Sequence, residues 1–221
     1  MKIIIPAIAL ISLIVFQIGC LGGAANTANA DTNANTAKVS PFAHITDPNA
    51  ALAEGDRLLD NNETEQAIEA YKQAVTLNPD FAEAHFKMGI AYALIESEMQ
   101  QAGNTVETVS NTGKGGTVKT NSQKAFEKAV EAYKKVIAAN PKDDLAQFNL
   151  GRAYNKLNKD EEAETAFKQA VKLKPDDTEY QTEYGSILIK LAQYREALAP
   201  LKKALELDPE NSRAADLLED A

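Results

Sequence analysis

The chain has 221 residues, enough for one domain with additions and for a sizeable apolar core. Its net charge of -9, with no basic cluster, argues against a surface that grips nucleic-acid phosphates. A single cysteine, Cys20, excludes an internal disulfide, and two distant histidines without a cysteine partner argue against a zinc site. The abundance of Ala, Lys, Glu and Leu favours helix.

Residues 1–20, MKIIIPAIALISLIVFQIGC, place one lysine before an apolar run that meets Gly19 and Cys20. The run is short for a membrane span, which needs about 20 residues. A charged start, apolar middle and small-residue end make a secretory signal. The cysteine directly after Gly19 resembles the end of a bacterial lipoprotein signal, and this implies lipid attachment at Cys20. Gln17 departs from that pattern, which usually has an aliphatic residue there. Leu21 stands where some bacteria carry the Asp that retains a lipoprotein in the inner membrane. An uncleaved N-terminal anchor is the alternative for the same residues. Both versions predict export and attachment to a membrane. Residues 21–47 are dominated by Ala, Asn and Thr, show no apolar period, and read as a disordered linker. A random coil of that length spans about 30 Å.

A period begins at residue 48. Pro141, Pro175 and Pro209 are 34 residues apart, and Pro79 precedes Pro141 by the same period with 28 residues added. Gly55, Gly89, Gly151 and Gly185 fall early in each unit. Ala67, Ala129, Ala163 and Ala197 fall in the middle, and Tyr71, Tyr133, Phe167 and Leu201 follow four residues later. Each unit holds two amphipathic stretches of helical spacing, closed by the proline. The order Gly, Ala, large residue, Ala, Pro resembles the tetratricopeptide repeat. Four units are expected: 48–81, 82–143 with an insertion at about 98–122, 144–177 and 178–211. In the second unit the helices are expected at about 82–97 and 123–139. Residues 212–221 read as a partial capping helix. The resemblance implies an all-α solenoid of stacked helical hairpins with a concave inner surface. Ala51, His85, Gln147 and Gln181 replace the aromatic that often opens the first helix. Leu58 and Leu188 replace a tyrosine later in it.

The insertion contains SNTGKGGTVKT, which combines glycines, lysine and hydroxyls as a phosphate loop does. The spacing fails: Thr108 stands where the first glycine of a Walker loop belongs, and Gly115 where its Ser or Thr belongs. A nucleotide enzyme built on this loop is therefore a minor alternative. TVETV at 105–109 and TVKT at 117–120 alternate like strands, so either a small β-hairpin or a disordered loop fits.

No catalytic or metal-ligating constellation stands out, and no cofactor or small-molecule substrate is expected. The resemblance implies instead a scaffold that binds proteins through the concave face, lined by the first helix of each unit. Mapping its inward places gives Asn49, Leu52 and Asp56; Glu83, Phe86, Lys87 and Ile90; Phe148, Asn149, Arg152 and Asn155; then Glu179, Thr182, Glu183 and Ser186. The sharpest candidates are Phe86 and Phe148 as apolar anchors, surrounded by Lys87, Ile90, Asn149, Arg152 and Asn155. Packing of both Phe rings between helices is the competing role. Some relatives clamp a C-terminal carboxylate. Leu52, Asp56, Lys87, Leu145 and Asn149 hold the corresponding places, and only Asn149 is of the expected type. The partners expected are proteins of the cell envelope, in assembly or localisation of a complex. A self-associating structural module is the alternative.

Overall fold

The computed structural model describes residues 40–103 and 119–221, and these contain nine helices and no strand. The hairpin expected within 105–120, the Gly-Lys loop and Cys20 lie outside the described residues, apart from Lys119 and Thr120. The helices are α1 (Pro48–Asp60), α2 (Thr64–Leu77), α3 (Ala82–Gln101), α4 (Asn121–Ala139) and α5 (Asp144–Lys156). They continue as α6 (Asp160–Leu173), α7 (Thr178–Lys190), α8 (Tyr194–Leu207) and α9 (Ser212–Glu219). Each packs against the next in chain order, which makes an all-α stack of helical hairpins.

Local chemistry sets the helix ends. Asp47, Asp143, Asp177 and Asn211 cap α1, α5, α7 and α9 by accepting backbone N–H bonds. Thr120 and Gln123 form a reciprocal capping box on α4. The turn after the first helix passes through a left-handed residue, Asn62, Asn158 or Ala192, in three of the hairpins. Asparagine tolerates that conformation far better than alanine.

Within each hairpin the two helices meet at a glycine. A Cβ on Gly55 would collide with the ring of Tyr71. On Gly89 it would lie 2.6 Å from the ring of Phe126, on Gly151 2.7 Å from Phe167, and on Gly185 2.5 Å from Leu201. The missing side chain lets the large residue lie directly on the backbone of the first helix. Ala67, Ala129, Ala163 and Ala197 are fully buried beside these contacts.

The second hairpin differs from the sequence expectation. Sixteen residues separate glycine from large residue in the first, third and fourth hairpins, and 37 separate Gly89 from Phe126. The 28 added residues therefore divide into 21 before Phe126 and seven after it. Tyr133, which the repeat pattern aligns with Tyr71 and Phe167, is not the residue on Gly89. Phe126 and Tyr133 are seven residues apart, about two helical turns, so both lie on one face of α4 and the pattern does not tell them apart. Toward α5 the ordinary register persists. Lys134 lies 5.5 Å over the Tyr154 ring, and Tyr92 acts electrostatically on Lys72 at the same separation of 20 residues. So α3 is displaced along α4 by about 10 Å, seven residues at helical rise. Accordingly α3 continues to Gln101 rather than 97, and α4 begins at Asn121. Glu96, in the added part of α3, accepts the Ser122 backbone N–H at 2.9 Å and its hydroxyl at 2.5 Å.

The ends of the stack are covered. Residues expected to close the linker, Phe42 and Ile45, pack on the first hairpin, and Gln73 donates to the Ile45 carbonyl at 2.9 Å. At the other end Ala214, Leu217 and Leu218 of α9 cover Leu188 and Leu201.

The displaced register has a direct test in a double-mutant cycle. Gly89→Ala is expected to destabilise by about 1–3 kcal/mol through overpacking. Combined with Phe126→Leu it should show a coupling of about 0.5–3 kcal/mol, whereas with Tyr133→Leu the effects should add. Thermal melts followed by circular dichroism read both outcomes.

Candidate protein-binding groove

The face expected to be concave is the one carried by α1, α3, α5 and α7, and polar pairs tie successive first helices together. Asp56 on α1 accepts the Tyr71 hydroxyl at 2.7 Å and lies 3.2 Å from Lys87 on α3. Lys190 on α7 donates to Asn155 on α5 at 3.1 Å and to Asp160 at 2.6 Å. Both Arg213 Nη groups on α9 bond the Glu183 carboxylate on α7, and Asn211 donates to the Thr182 hydroxyl at 3.0 Å.

The structure brings the expected groove residues together but divides them by depth. Phe86 and Phe148 are only 3% and 2% exposed, so neither presents an anchor to a ligand. The packing role wins. Phe86 lies 5.6 Å from Phe126, and Phe148 lies 5.6 Å from Phe167 and 4.4 Å, stacked, from Tyr180. Both are core residues because each sits one turn before the helix–helix contact at Gly89 or Gly151. Lys87, Ile90, Asn149, Arg152 and Asn155 stay half-buried on the surface. Leu52 and Thr182 are buried, and Asn49, Glu83 and Glu179 are exposed.

Arg152 joins the two halves of the face. Its guanidinium lies 5.0 Å over the Phe86 ring and 5.8 Å over the Phe148 ring. The displacement of α3 along α4 is consistent in direction with this contact. Elsewhere first helices are joined across 30 to 36 residues, from Glu183–Arg213 to Asp144–Tyr180. Phe86 and Arg152 are 66 apart, which is 38 once the 28 added residues are discounted, just beyond that range. The repeat pattern assigns Phe86 and Arg152 to one surface, but does not bring them into contact.

Leu145, 57% exposed, stands out in the sequence only as a mismatch to a clamp position. It precedes Arg152 by two turns on the same stripe of α5. Its counterparts Asn49, Glu83 and Glu179 are polar, and that contrast is the signal the sequence offers.

Burial pushes the hydroxyl of Tyr71 upward in pKa, and its bond to Asp56 adds to the shift. Burial does the same for Tyr133, helped by the Glu83 charge and opposed by Arg152, and for Tyr180, helped by its 2.9 Å bond to Asp144. Among the described residues no group of acidic, histidine or cysteine side chains could hold a metal, and no helix is long and apolar enough to cross a membrane.

Three stretches of the chain match repeat families. Residues 55–95 match one described as TPR repeat, and residues 121–187 and 178–211 match two described as tetratricopeptide repeat. No curated protein sequence matches the chain. Among solved structures, TTC0263, a thermophilic TPR protein in Thermus thermophilus, is 22% identical over 78% of this chain and 82% of that one, with a TM-score of 0.56. MamA from Desulfovibrio magneticus RS-1 is 20% identical over 76% of this chain and 79% of that one, with a TM-score of 0.50. Both likenesses show the fold.

Raised tyrosine pKa values fix the sign of one pH effect. Protonated Tyr71, Tyr133 and Tyr180 contribute stability that is complete below the unfolded value near 10 and is lost as pH rises toward the folded values. In an alkaline titration these three of the seven tyrosines should ionise only as the helices melt. Tyrosinate absorbance should then rise as helical circular dichroism falls, over the same pH range, and Tyr71→Phe should weaken the pH dependence.

Proposed function

The chain is a tetratricopeptide repeat protein, and we propose that it is a non-catalytic binding scaffold, held at a bacterial membrane by lipid on Cys20. In this reading its concave face grips other envelope proteins and helps to assemble or localise their complex. The observation that carries the reading is the strip across α3 and α5. Lys87, Ile90, Asn149, Arg152 and Asn155 are half-exposed there, on a backbone held by the packed core beneath. Such a strip offers an apolar contact, two cations and amide groups on rigid helices, a composition suited to peptide or helix recognition. Because Phe86 and Phe148 are buried, their part is to hold Arg152 in place. Truncating either ring would unsettle the core rather than probe binding.

The test is capture from solubilised source membranes, read by mass spectrometry. The native chain is compared with a Lys87→Ala, Asn149→Ala, Arg152→Ala variant that melts at the native temperature. A partner held at least tenfold less by the variant, about 1.4 kcal/mol, is the expected result. A partner held equally by both would move the contact off this face. Capture of the same chain alone would favour self-association.

The anchor rests on Gly19 and Cys20 and has its own test. Cys20→Ser should abolish incorporation of labelled fatty acid and release the protein to the soluble fraction. Retention in the membrane after that substitution would instead indicate an uncleaved apolar anchor.

A further inference from the structure

Among the inward-facing arginines and lysines in the described residues, Arg152 forms no ion pair. Lys87 has Asp56, Lys190 has Asp160 and Arg213 has Glu183. The repeat even supplies Arg152 with a counterpart. Glu183 follows Arg152 by 31 residues, the same separation as Lys87 from Asp56. Yet both oxygens of Glu183 are taken by Arg213 of α9. The guanidinium of Arg152 thus lies over the rings of Phe86 and Phe148, acts on the Tyr133 hydroxyl through its charge, and makes no hydrogen bond among the described residues. A half-buried guanidinium carries five N–H donors that call for acceptors. Two rings beneath it set its plane, so little side-chain freedom is left to lose on binding.

Leu145 lies two turns away on the same stripe, about 10 Å along the α5 axis, with Asn149 between them. It is 57% exposed at a place where the other three repeats carry Asn or Glu. A planar cation and an exposed aliphatic group, separated by an amide, form a two-point surface.

We propose that this stripe of α5 receives a partner segment bearing a single carboxylate side chain and a nearby large apolar side chain. The carboxylate takes the paired N–H groups of Arg152, and the apolar group covers Leu145. The inference rests on the concave face being the binding face. One carboxylate is specified because Glu83 and Glu179 are exposed on the adjacent first helices and the chain carries a net charge of -9. A run of acids would be repelled there, which makes the surface selective. The carboxylate is an internal one, since the second cation of the strip, Lys87, is already paired with Asp56 and Arg152 is left as a single cation.

The full chain is offered a library of random 12-residue peptides, all amidated at the C-terminus. Selected peptides should carry one Asp or Glu together with Leu, Ile, Phe or Met, and should not be enriched in acidic runs. Arg152→Gln should weaken the best of them at least tenfold, about 1.4 kcal/mol, and remove the acid preference. Leu145→Ser should remove the apolar preference and keep the acid one. Melting curves verify that both variants fold. Selection without acid preference, an acid preference that survives Arg152→Gln, selection of phosphorylated versions over carboxylates, or no selection at all would each overturn the proposal. Acid-free peptides that bind the native chain but not the Lys87→Ala, Asn149→Ala variant would leave the groove reading standing and the carboxylate refuted. Peptides that bind every variant equally would refute both.

Discussion

Close approach of two helices at a glycine is the contact on which the stack depends. Gly55, Gly89, Gly151 and Gly185 each receive a large side chain directly onto the backbone, at distances that leave no room for a Cβ. That contact sets the separation of the two helices, and the separation sets which residues fall inside. Once Tyr71, Phe126, Phe167 and Leu201 are seated, fully buried alanines fit beside them and the remaining apolar edges must be covered by the next hairpin. A single hairpin cannot do this alone, so the fold is cooperative between neighbours and needs covered ends. Phe42 and Ile45 supply one cover and α9 the other.

Helix α4 carries two registers at once. It offers Phe126 to α3 and keeps the repeat offset of Lys134 and Tyr154 toward α5. Among the described residues, α3 and α4 are longer than their counterparts and their pairing is shifted by seven residues, about two turns. Helix α3 is apolar on both flanks: Ala84 and Ala91 face the first hairpin, while Ala82 and Phe86 face the second. Across this junction the Arg152 guanidinium of α5 lies over the Phe86 ring of α3.

Most charged groups of the concave face are spent on the protein itself. Asp56, Lys87, Glu183, Lys190 and Arg213 tie one first helix to the next or to the adjoining turn. Exposed pairs of this kind add little stability each, but they define orientation. What they leave over is therefore informative. Arg152, held by rings and not by an ion pair, is what they leave over, and exposed Leu145 lies on the same stripe of α5.

Much of the molecule is legible without coordinates, because a helical hairpin is a local object. The 34-residue spacing of Pro141, Pro175 and Pro209, the recurrent glycines and the amphipathic period determine helix, turn and stacking order through interactions within a few turns of chain. The same pattern assigns Lys87, Asn149, Arg152 and Asn155 to one surface. It does not decide whether Phe86 and Phe148 are anchors or core, since an apolar residue at an inward place satisfies both until the neighbouring helix is positioned. Nor does it choose between Phe126 and Tyr133 on Gly89, because residues seven apart share a helix face. Those choices, and the freedom of Arg152 once Arg213 has taken Glu183, belong to the tertiary structure alone. They turn on distances between residues 30 to 66 positions apart, which only the packing of one helix on another can set.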